Sequence, residues 1–297
     1  MRTGFMMRVR VSNVVQMLSI GAAVLLFGST GRASIIYGTV GNTLSQNFDS
    51  LASTAIASPF HTWSDDTTID GWYSSRTVYN GGTGSSLTGN LYSYGVAGVN
   101  PNTDRALGSV ASGTTGAIQY GIALQNTTGI LLDSFTLAYV GEQWRIGSSP
   151  VIDPGDPSTF QRLAFHYGIS SGLAGLLANA AISDTDLDFV GPKNVVGPPP
   201  ATNAIDGNAG ANRISLSDSI TGISWGINEF LWLRWSDSNS AGDDHGFAID
   251  DFSFSATGPV APAAVPEPSS MAALALLACG IVAMRRFRRS VPGSETI

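Results

Sequence analysis

The chain has 297 residues, a net charge of −7 and a hydrophobic content of 43%. The charge is unevenly distributed, because residues 34–264 carry seven Lys and Arg against twenty Asp and Glu, a net charge of 7 − 20 = −13. So acidic a segment excludes the phosphate backbone of nucleic acid as a partner, while its length is sufficient for one substantial core.

The N-terminus has the three-part layout of a secretory signal peptide. Arginines in the first ten residues precede an apolar run, 14–27, and small residues then flank the bond between Ala33 and Ser34. We therefore expect residues 1–33 to be a signal peptide read by the Sec export machinery and cleaved after Ala33. An uncleaved N-terminal anchor is the alternative.

Residues 34–255 have the pattern of an all-β protein, with short β-branched and aromatic runs between clusters of Gly, Asn, Asp, Ser and Pro. In 117–124 and 163–169, apolar and polar residues alternate, which predicts strands with one face on a core. Residues 131–140 and 230–235 are apolar at nearly every position, which predicts strands covered on both faces. We expect a single two-sheet antiparallel β-sandwich of jelly-roll type.

The last strand of this body contains two adjacent carboxylates. Within 246–254 the parity of the apolar residues changes at Asp250 and Asp251, which predicts a β-bulge that aims both side chains to one side. Ca²⁺ takes about six to eight oxygen ligands and needs no His or Cys. The residues predicted to bind it are Asp237, Asp243, Asp244, Asp250 and Asp251. The alternative is that these side chains cap turns and face solvent.

Aromatic residues in Gly- and Ser-rich surroundings indicate a different kind of site. Exposed Trp and Tyr rings stack on the apolar faces of sugars, and Trp72 and Tyr73 are the candidates for such a site. A third interpretation is an exported hydrolase that uses Glu142 and Asp244 as paired acids. Because the chain has no Gly-x-Ser-x-Gly nucleophile motif, we expect the protein to be non-catalytic.

The C-terminus has a second three-part layout. An Ala- and Pro-rich spacer, 256–264, precedes a short motif, an apolar run, 271–284, and an arginine cluster, and a polar tail, 290–297, follows. The residues of the motif and the cluster are Val265, Pro266, Glu267, Pro268, Arg285, Arg286, Arg288 and Arg289. As a helix the apolar run would be about 21 Å long, against ~30 Å for the hydrocarbon core. We expect a short transmembrane helix with its arginines on the cytoplasmic side.

In this order and spacing, residues 265–289 resemble the PEP-CTERM sorting signal of exported bacterial proteins. The resemblance implies that an integral-membrane exosortase recognises the motif and is thought to cleave near it. It also implies a destination in the cell envelope, at the surface or outside the cell. An ordinary C-terminal tail anchor is the alternative.

The body itself resembles an uncharacterised exported β-domain found ahead of such tails. The similarity lies in residues 104–108, 141–145, 233–235 and 243–251. A shorter similarity, at residues 249–251, is to Ca²⁺-binding jelly rolls such as MAM domains and carbohydrate-binding modules. Together these resemblances imply a non-catalytic body that acts at the cell surface or in the extracellular polysaccharide matrix, with Ca²⁺ as a cofactor. A carbohydrate-binding module is the alternative function.

Overall fold

The computed structural model describes residues 34–54, 60–96, 104–148, 159–173, 175, 179–194, 203–259, 274–279, 281–282 and 284–285. The predicted signal peptide, the motif at 265–268 and the arginines at 286, 288 and 289 lie outside these residues. Within the described part, the strands form one sheet of seven strands and one of nine.

The seven-stranded sheet consists of β1 (Ile35–Tyr37), β4 (Trp72–Ser74), β8 (Ile118–Asn126), β10 (Arg162–Ser170), β11 (Ile182–Ser183), β12 (Phe189–Val190) and β15 (Phe230–Asp237). Its strand order is β1-β8-β15-β10-β11, and β4 and β12 pair with β8 and β10. A short 3-10 helix, Thr185–Leu187, lies between β11 and β12.

The nine-stranded sheet consists of β2 (Leu44–Gln46), β3 (His61–Thr62), β5 (Val78–Gly82), β6 (Asn90–Tyr94), β7 (Ala106–Val110), β9 (Leu132–Ile146), β13 (Asn203–Ala204), β14 (Arg213–Trp225) and β16 (Gly246–Thr257). Its strand order is β13-β9-β16-β7-β6-β5-β3, while β14 pairs with β9 and β2 with β16.

The two sheets confirm the all-β prediction and the positions of the predicted strands. The prediction of one water-facing side is wrong for 117–124, because β8 is buried on both faces and its Ala123 packs with Tyr73 and Trp232. The prediction of purely antiparallel sheets is wrong, because β1 runs parallel to β8 and β5 runs parallel to β6. The second pair is possible because residues 83–89 cross back over the sheet between β5 and β6, where Arg145 Nη1 donates to Gly84 O (3.0 Å). A jelly-roll strand order remains a prediction.

The core lies between the sheets and is built around a group of aromatic rings. The rings of Trp72 and Trp235 stack with centroids 5.9 Å apart, and Phe252 meets both of them edge-on. Trp72 and Trp235 come from the seven-stranded sheet and Phe252 from the nine-stranded one. Burying such rings removes a large apolar area from water and holds the two sheets together.

A second apolar cluster covers the outer face of the nine-stranded sheet. The rings of Tyr92, Tyr94 and Trp144 are buried and stack in a row, with centroids 5.1 and 5.7 Å apart. Gly207 packs on Trp144, since a Cβ there would lie 2.3 Å from Trp144 Nε1. This cover buries both faces of β9 at 141–145 only. Over 132–140 buried residues alternate with half-buried or exposed ones, so the prediction of two covered faces for 131–140 is wrong.

The C-terminal residues 274–279, 281–282 and 284–285 are helical. Leu274, Leu276 and Met284 are 74%, 73% and 69% exposed. Within the described ranges no helix has both the length and the apolar character needed to cross a membrane, so the predicted transmembrane helix is not found there.

Candidate functional site

Strand β16 contains the β-bulge predicted from the sequence. Asp250 pairs with Val140 of β9 and Ser253 pairs with Ala138, so β16 has one residue more than β9 over this stretch. Asp251 has a positive φ of 49° and is exposed, whereas Asp250 is buried. The bulge therefore lies at Asp250 and Asp251, and it leaves the first side chain buried and the second exposed.

On its other edge, β16 changes partner at the same place. The pairing with β7 ends at Ile249 and the pairing with β2 covers Phe252 to Phe254, so Asp250 and Asp251 lie between the two partners. A groove with a volume of about 410 Å³ opens there. We call it the acidic groove, and its lining residues are Ser45, Gln46, Asn47, Asp251, Phe252 and Ser253.

Carboxylates crowd around the acidic groove. The pKa of Asp104 is raised by partial burial and by the charges of Asp49 and Asp251, and Arg213 opposes this shift. Asp49 is held beside the groove because its Oδ1 accepts from Arg105 N (3.0 Å). The electrostatic potential around the acidic groove is therefore negative, and the positive charge of Arg213 offsets it only in part.

Two further carboxyl groups near these, those of Glu142 and Asp250, are almost completely buried. Burial raises the pKa of Glu142 to about 7, although its Oε2 accepts a hydrogen bond from Trp144 Nε1 (2.8 Å). Burial raises the pKa of Asp250 to about 8, the Asp251 N–H bonded to its Oδ1 (2.7 Å) lowers it, and the charges of Glu142 and Asp104 raise it. A cation beside them would relieve this repulsion.

The donor set fits a hard cation such as Ca²⁺. Asp251 supplies carboxylate oxygens, Gln46 and Asn47 supply amide oxygens, and Ser45 and Ser253 supply hydroxyls to the lining. Ca²⁺ prefers carboxylate, carbonyl and hydroxyl oxygens and tolerates irregular geometry. The same amides and hydroxyls are the groups that hydrogen-bond sugar hydroxyls.

The other carboxylates predicted to bind Ca²⁺ lie elsewhere. Asp237 is buried between the sheets, where its Oδ2 accepts from Ser109 Oγ (2.7 Å). Burial raises its pKa to about 7, Ser109 lowers it and Asp244 raises it. Asp243 Oδ2 accepts from Ser148 Oγ (3.0 Å).

The sequence predicts that the five aspartates form one site. Among the described residues, the acidic or His side chains whose ligand atoms converge within 4.8 Å in groups of three or more are Asp184, Asp186 and Asp218. The prediction of a single site is thus wrong in its geometry: the bulge turns Asp250 and Asp251 to the outer face, whereas Asp237 points into the core. The converging trio is exposed or half-buried at the 3-10 helix and β14, and we assign it no function.

The aromatic residues predicted to stack on sugar are not exposed. Trp72 is 0% exposed and stacks on Trp235 in the core, and Tyr73 is 2% exposed and packs on Trp232 with centroids 5.0 Å apart. The expectation of exposed rings is therefore wrong for both residues. Alternate side chains of β4 enter two different apolar clusters, which the Gly- and Ser-rich context did not indicate.

The two acids considered for a hydrolase lie in different surroundings. Burial raises the pKa of Glu142, and the hydrogen bond from Trp144 lowers it. The charges of Asp104 and Asp251 raise this pKa, and the charge of Arg213 lowers it. The pKa of Asp244 is raised to about 6 by burial, with Ser240 lowering it and Asp243 raising it. The neighbouring His245 is buried, and burial lowers its pKa to about 4, while its Nδ1 accepts from Gly147 N (2.8 Å). Asp244 and His245 hold the loop before β16 in place.

Sequence reasoning missed several residues of the acidic groove. Gln46, Asn47 and Asp49 lie at the N-terminal side of the body, about two hundred residues before Asp251. Asn47 Nδ2 donates to Asp49 Oδ2 (2.7 Å), and Asn208 Nδ2 donates to Asp104 Oδ2 (2.6 Å). The pairing of β2 with β16 brings Gln46 and Asn47 to Asp251, and no local motif predicts that pairing.

No family model matches the chain, and no curated protein matches it. Similar solved structures include the CBM22-1 xylan-binding domain from Paenibacillus barcinonensis Xyn10C, with 9% identity, TM-score 0.28, and coverage of 75% of this chain and 99% of that one. The K1 cleaved adhesin domain of Lys-gingipain from Porphyromonas gingivalis W83 has 14% identity, TM-score 0.34, and coverage of 73% and 100%. TmCBM61 in complex with β-1,4-galactotriose has 7% identity, TM-score 0.26, and coverage of 70% and 97%. At TM-scores this low, the similarities carry no argument about this chain.

Proposed function

We propose that the protein is an exported, non-catalytic domain that binds carbohydrate in the acidic groove. The observation that supports this most directly is the groove itself, an open space of about 410 Å³ lined mainly by amide, hydroxyl and carboxylate side chains. Such volume and lining suit a sugar residue or two, whose hydroxyls donate to carboxylates and both donate to and accept from amides.

The charge around the groove narrows the class of sugar. Partial burial and the charges of Asp49 and Asp251 raise the pKa of Asp104, and the charge of Arg213 opposes that shift. Like charges are repelled at such a surface. Without a bound cation the groove therefore favours a neutral or amine-bearing polysaccharide over one built of uronic acids.

We further propose that Ca²⁺ binds in the acidic groove at Asp251, with oxygens of Gln46, Asn47 or nearby carboxylates completing its shell. A cation that binds only the native state must stabilise it, by about 2.7 kcal/mol at a concentration one hundred times its Kd. The melting temperature of the full chain should rise with Ca²⁺ and fall back with chelator. Asp251→Asn should remove this response, and the control Asp243→Asn should keep it.

Carbohydrate binding is tested by a glycan array probed with the full chain, with and without Ca²⁺. We expect retention on neutral glycans, loss of that retention in Asn47→Ala and Asp251→Asn, and no change in Asp243→Asn. Retention that persists in both groove variants would show that the glycan binds another surface of the protein. A chain that binds no neutral or amine-bearing glycan in either condition would overturn the proposal.

The termini support a proposal about destination. Residues 1–33 would direct export through the Sec machinery, and residues 265–289 would present the chain to an exosortase at the membrane. The test is expression with an exosortase, followed by mass analysis of the C-terminus. We expect a shortened chain, and an uncut one when Pro266 and Pro268 are both replaced by Ala. A full-length C-terminus in both cases would contradict exosortase cleavage.

A further inference from the structure

Five exposed apolar side chains lie at one end of the sandwich. We call this surface the apolar end, and it consists of Ile36, Val40, Ile130, Leu131 and Ile227, with exposed fractions of 64%, 42%, 44%, 42% and 51%. Single exposed apolar residues are ordinary on a protein surface, whereas a contiguous group of them marks a surface that meets a partner or a membrane.

Hydrogen bonds through Asn126 join two of the segments that form the apolar end. Asn126 Nδ2 donates to Ile130 O and to Trp225 O, both at 2.9 Å. Asn228 N in turn donates to Asn126 O (2.7 Å). The loop that carries Ile130 and the turn that carries Ile227 are therefore neighbours.

The first residues of the body complete the same surface. Ile36 pairs with Gln125 at the end of β8, next to Asn126. Gly41 N donates to Ala256 O (2.8 Å), which brings the turn containing Val40 beside the end of β16. The apolar end thus gathers residues from three distant parts of the sequence.

The outgoing chain leaves the body across this surface. A Cβ on Gly258 would lie 2.8 Å from Ile130 Cδ1 and 2.7 Å from Leu131 O, so the chain runs over both residues as β16 ends. About sixteen residues connect Gly258 to Leu274, where the helical residues with exposed apolar side chains begin. A segment of that length reaches at most about 55 Å when fully extended. A tail held in a bilayer would therefore keep the apolar end within that distance of the lipid surface.

The apolar end also carries little charge. Residues 34–44, 126–132, 222–230 and 256–259 contain one charged residue, Glu229, whose Oε2 accepts from Gly226 N (2.8 Å). A surface with so few charges loses little hydration energy on meeting a lipid interface. It also differs from a polybasic patch, whose attachment depends on anionic lipid.

We propose that, before an exosortase cleaves the tail, the apolar end rests on the surface of the membrane that holds the C-terminal tail. The inference rests on the proposed delivery of the tail to a membrane. It adds a second contact, made by the folded body. Two contacts give the sandwich a defined orientation on the bilayer, which the tail alone would not.

The test places single fluorescent labels on the full chain in vesicles of neutral phosphatidylcholine with brominated acyl chains. Cys279→Ala removes the native thiol, and Ile130→Cys, Ile227→Cys and Thr114→Cys introduce one label each. Thr114 is exposed in the loop before β8, at the opposite end of that strand from the apolar end. Circular dichroism checks that each variant folds, and flotation of the same samples reports insertion of the tail.

We expect bromine to reduce the emission of the labels at positions 130 and 227 by about half, because an interfacial apolar face lies within roughly 5–10 Å of the acyl boundary. The label at position 114 should be unaffected, and added salt or anionic lipid should change neither result.

Chains that float while all three labels respond equally would overturn this inference and leave the placement of the tail intact. Chains that do not float would overturn both, without touching glycan binding. A blue shift at positions 130 and 227 that needs no lipid and grows with protein concentration would assign the surface to a second copy of the chain, and would also overturn the inference.

Discussion

Ser109 Oγ donates a 2.7 Å hydrogen bond to Asp237 Oδ2, and this bond joins the two sheets. Ser109 belongs to β7 of the nine-stranded sheet and Asp237 to β15 of the seven-stranded sheet. Asp237 is 2% exposed, and an ionised carboxylate at such a place is strongly disfavoured. The contact between the sheets therefore depends on a carboxyl group that prefers to stay protonated.

This buried acid predicts that stability falls as pH rises. Burial raises the pKa of Asp237 from its ordinary 3.8 to about 7, so the native state holds this proton more tightly than the unfolded state. The contribution is fully present below about pH 4 and is lost as pH rises through 7, with a size of a few kcal/mol. We expect thermal unfolding in chelator to show a melting temperature that declines over this interval.

Asp237→Asn should flatten part of that decline, because the amide cannot ionise. Glu142 and Asp250, whose pKa values are also raised by burial, would keep the remaining slope. The exposed Asp70→Asn serves as the control and should reproduce the wild-type profile. Identical pH profiles for Asp237→Asn and the wild-type chain would contradict the assignment.

The aromatic core predicts a large loss of stability for Trp235→Ala. The Trp235 ring contacts Tyr139, Phe165 and Phe252 at centroid distances of 5.4, 5.4 and 6.2 Å, besides its stack with Trp72. Removing a buried aromatic side chain costs about 3–5 kcal/mol. Urea unfolding followed by circular dichroism measures this, and the half-exposed Ile182→Ala should change the free energy of unfolding by less than about 0.5 kcal/mol.

Substitutions at two glycines distinguish the cost of backbone strain from the cost of a steric clash. Gly84 and Gly129 have φ values of 80° and 82°, but a Cβ on Gly84 would lie 1.8 Å from Trp144 O, while one on Gly129 would meet nothing within 4 Å. Gly129→Ala should cost about 1–2 kcal/mol, the strain of a left-handed alanine. Gly84→Ala should cost clearly more, because residues 83–89 must lift off the Tyr92–Trp144 stack. Equal losses in urea unfolding would show that the close approach is relieved without cost.

The bulge predicts an unequal response to two substitutions at one position. Asp251 has φ 49°, a conformation that Asn tolerates and a β-branched residue does not. In chelator, Asp251→Asn should be at least as stable as the wild-type chain, because it removes a charge that repels neighbouring carboxylates. Asp251→Val should be about 1–2 kcal/mol less stable than Asp251→Asn. In Ca²⁺, both variants should lack the stabilisation proposed for the wild-type chain. A valine variant as stable as the asparagine variant in chelator would argue against the bulge.

The sequence alone was sufficient for the strand content and for the bulge. Alternation in 117–124 and 163–169 identified β8 and β10, because a strand with one buried face must repeat every second residue. The parity change at Asp250 and Asp251 identified the extra residue, since an inserted residue shifts every later side chain to the other face. Both signals are local and need no knowledge of the partner strand.

The candidate site depended on tertiary structure. Asp49, Asp104, Glu142 and Asp251 come from four separate segments, and packing between these segments brings their charges together. The change of partner along β16 opens the groove beside Asp251. The same applies to Trp72, whose Gly- and Ser-rich neighbours suggested exposure although its ring lies in the core. Composition and periodicity describe which residues alternate along one strand. Which strands become neighbours, and which edges they leave open, is determined by packing between segments far apart in the chain.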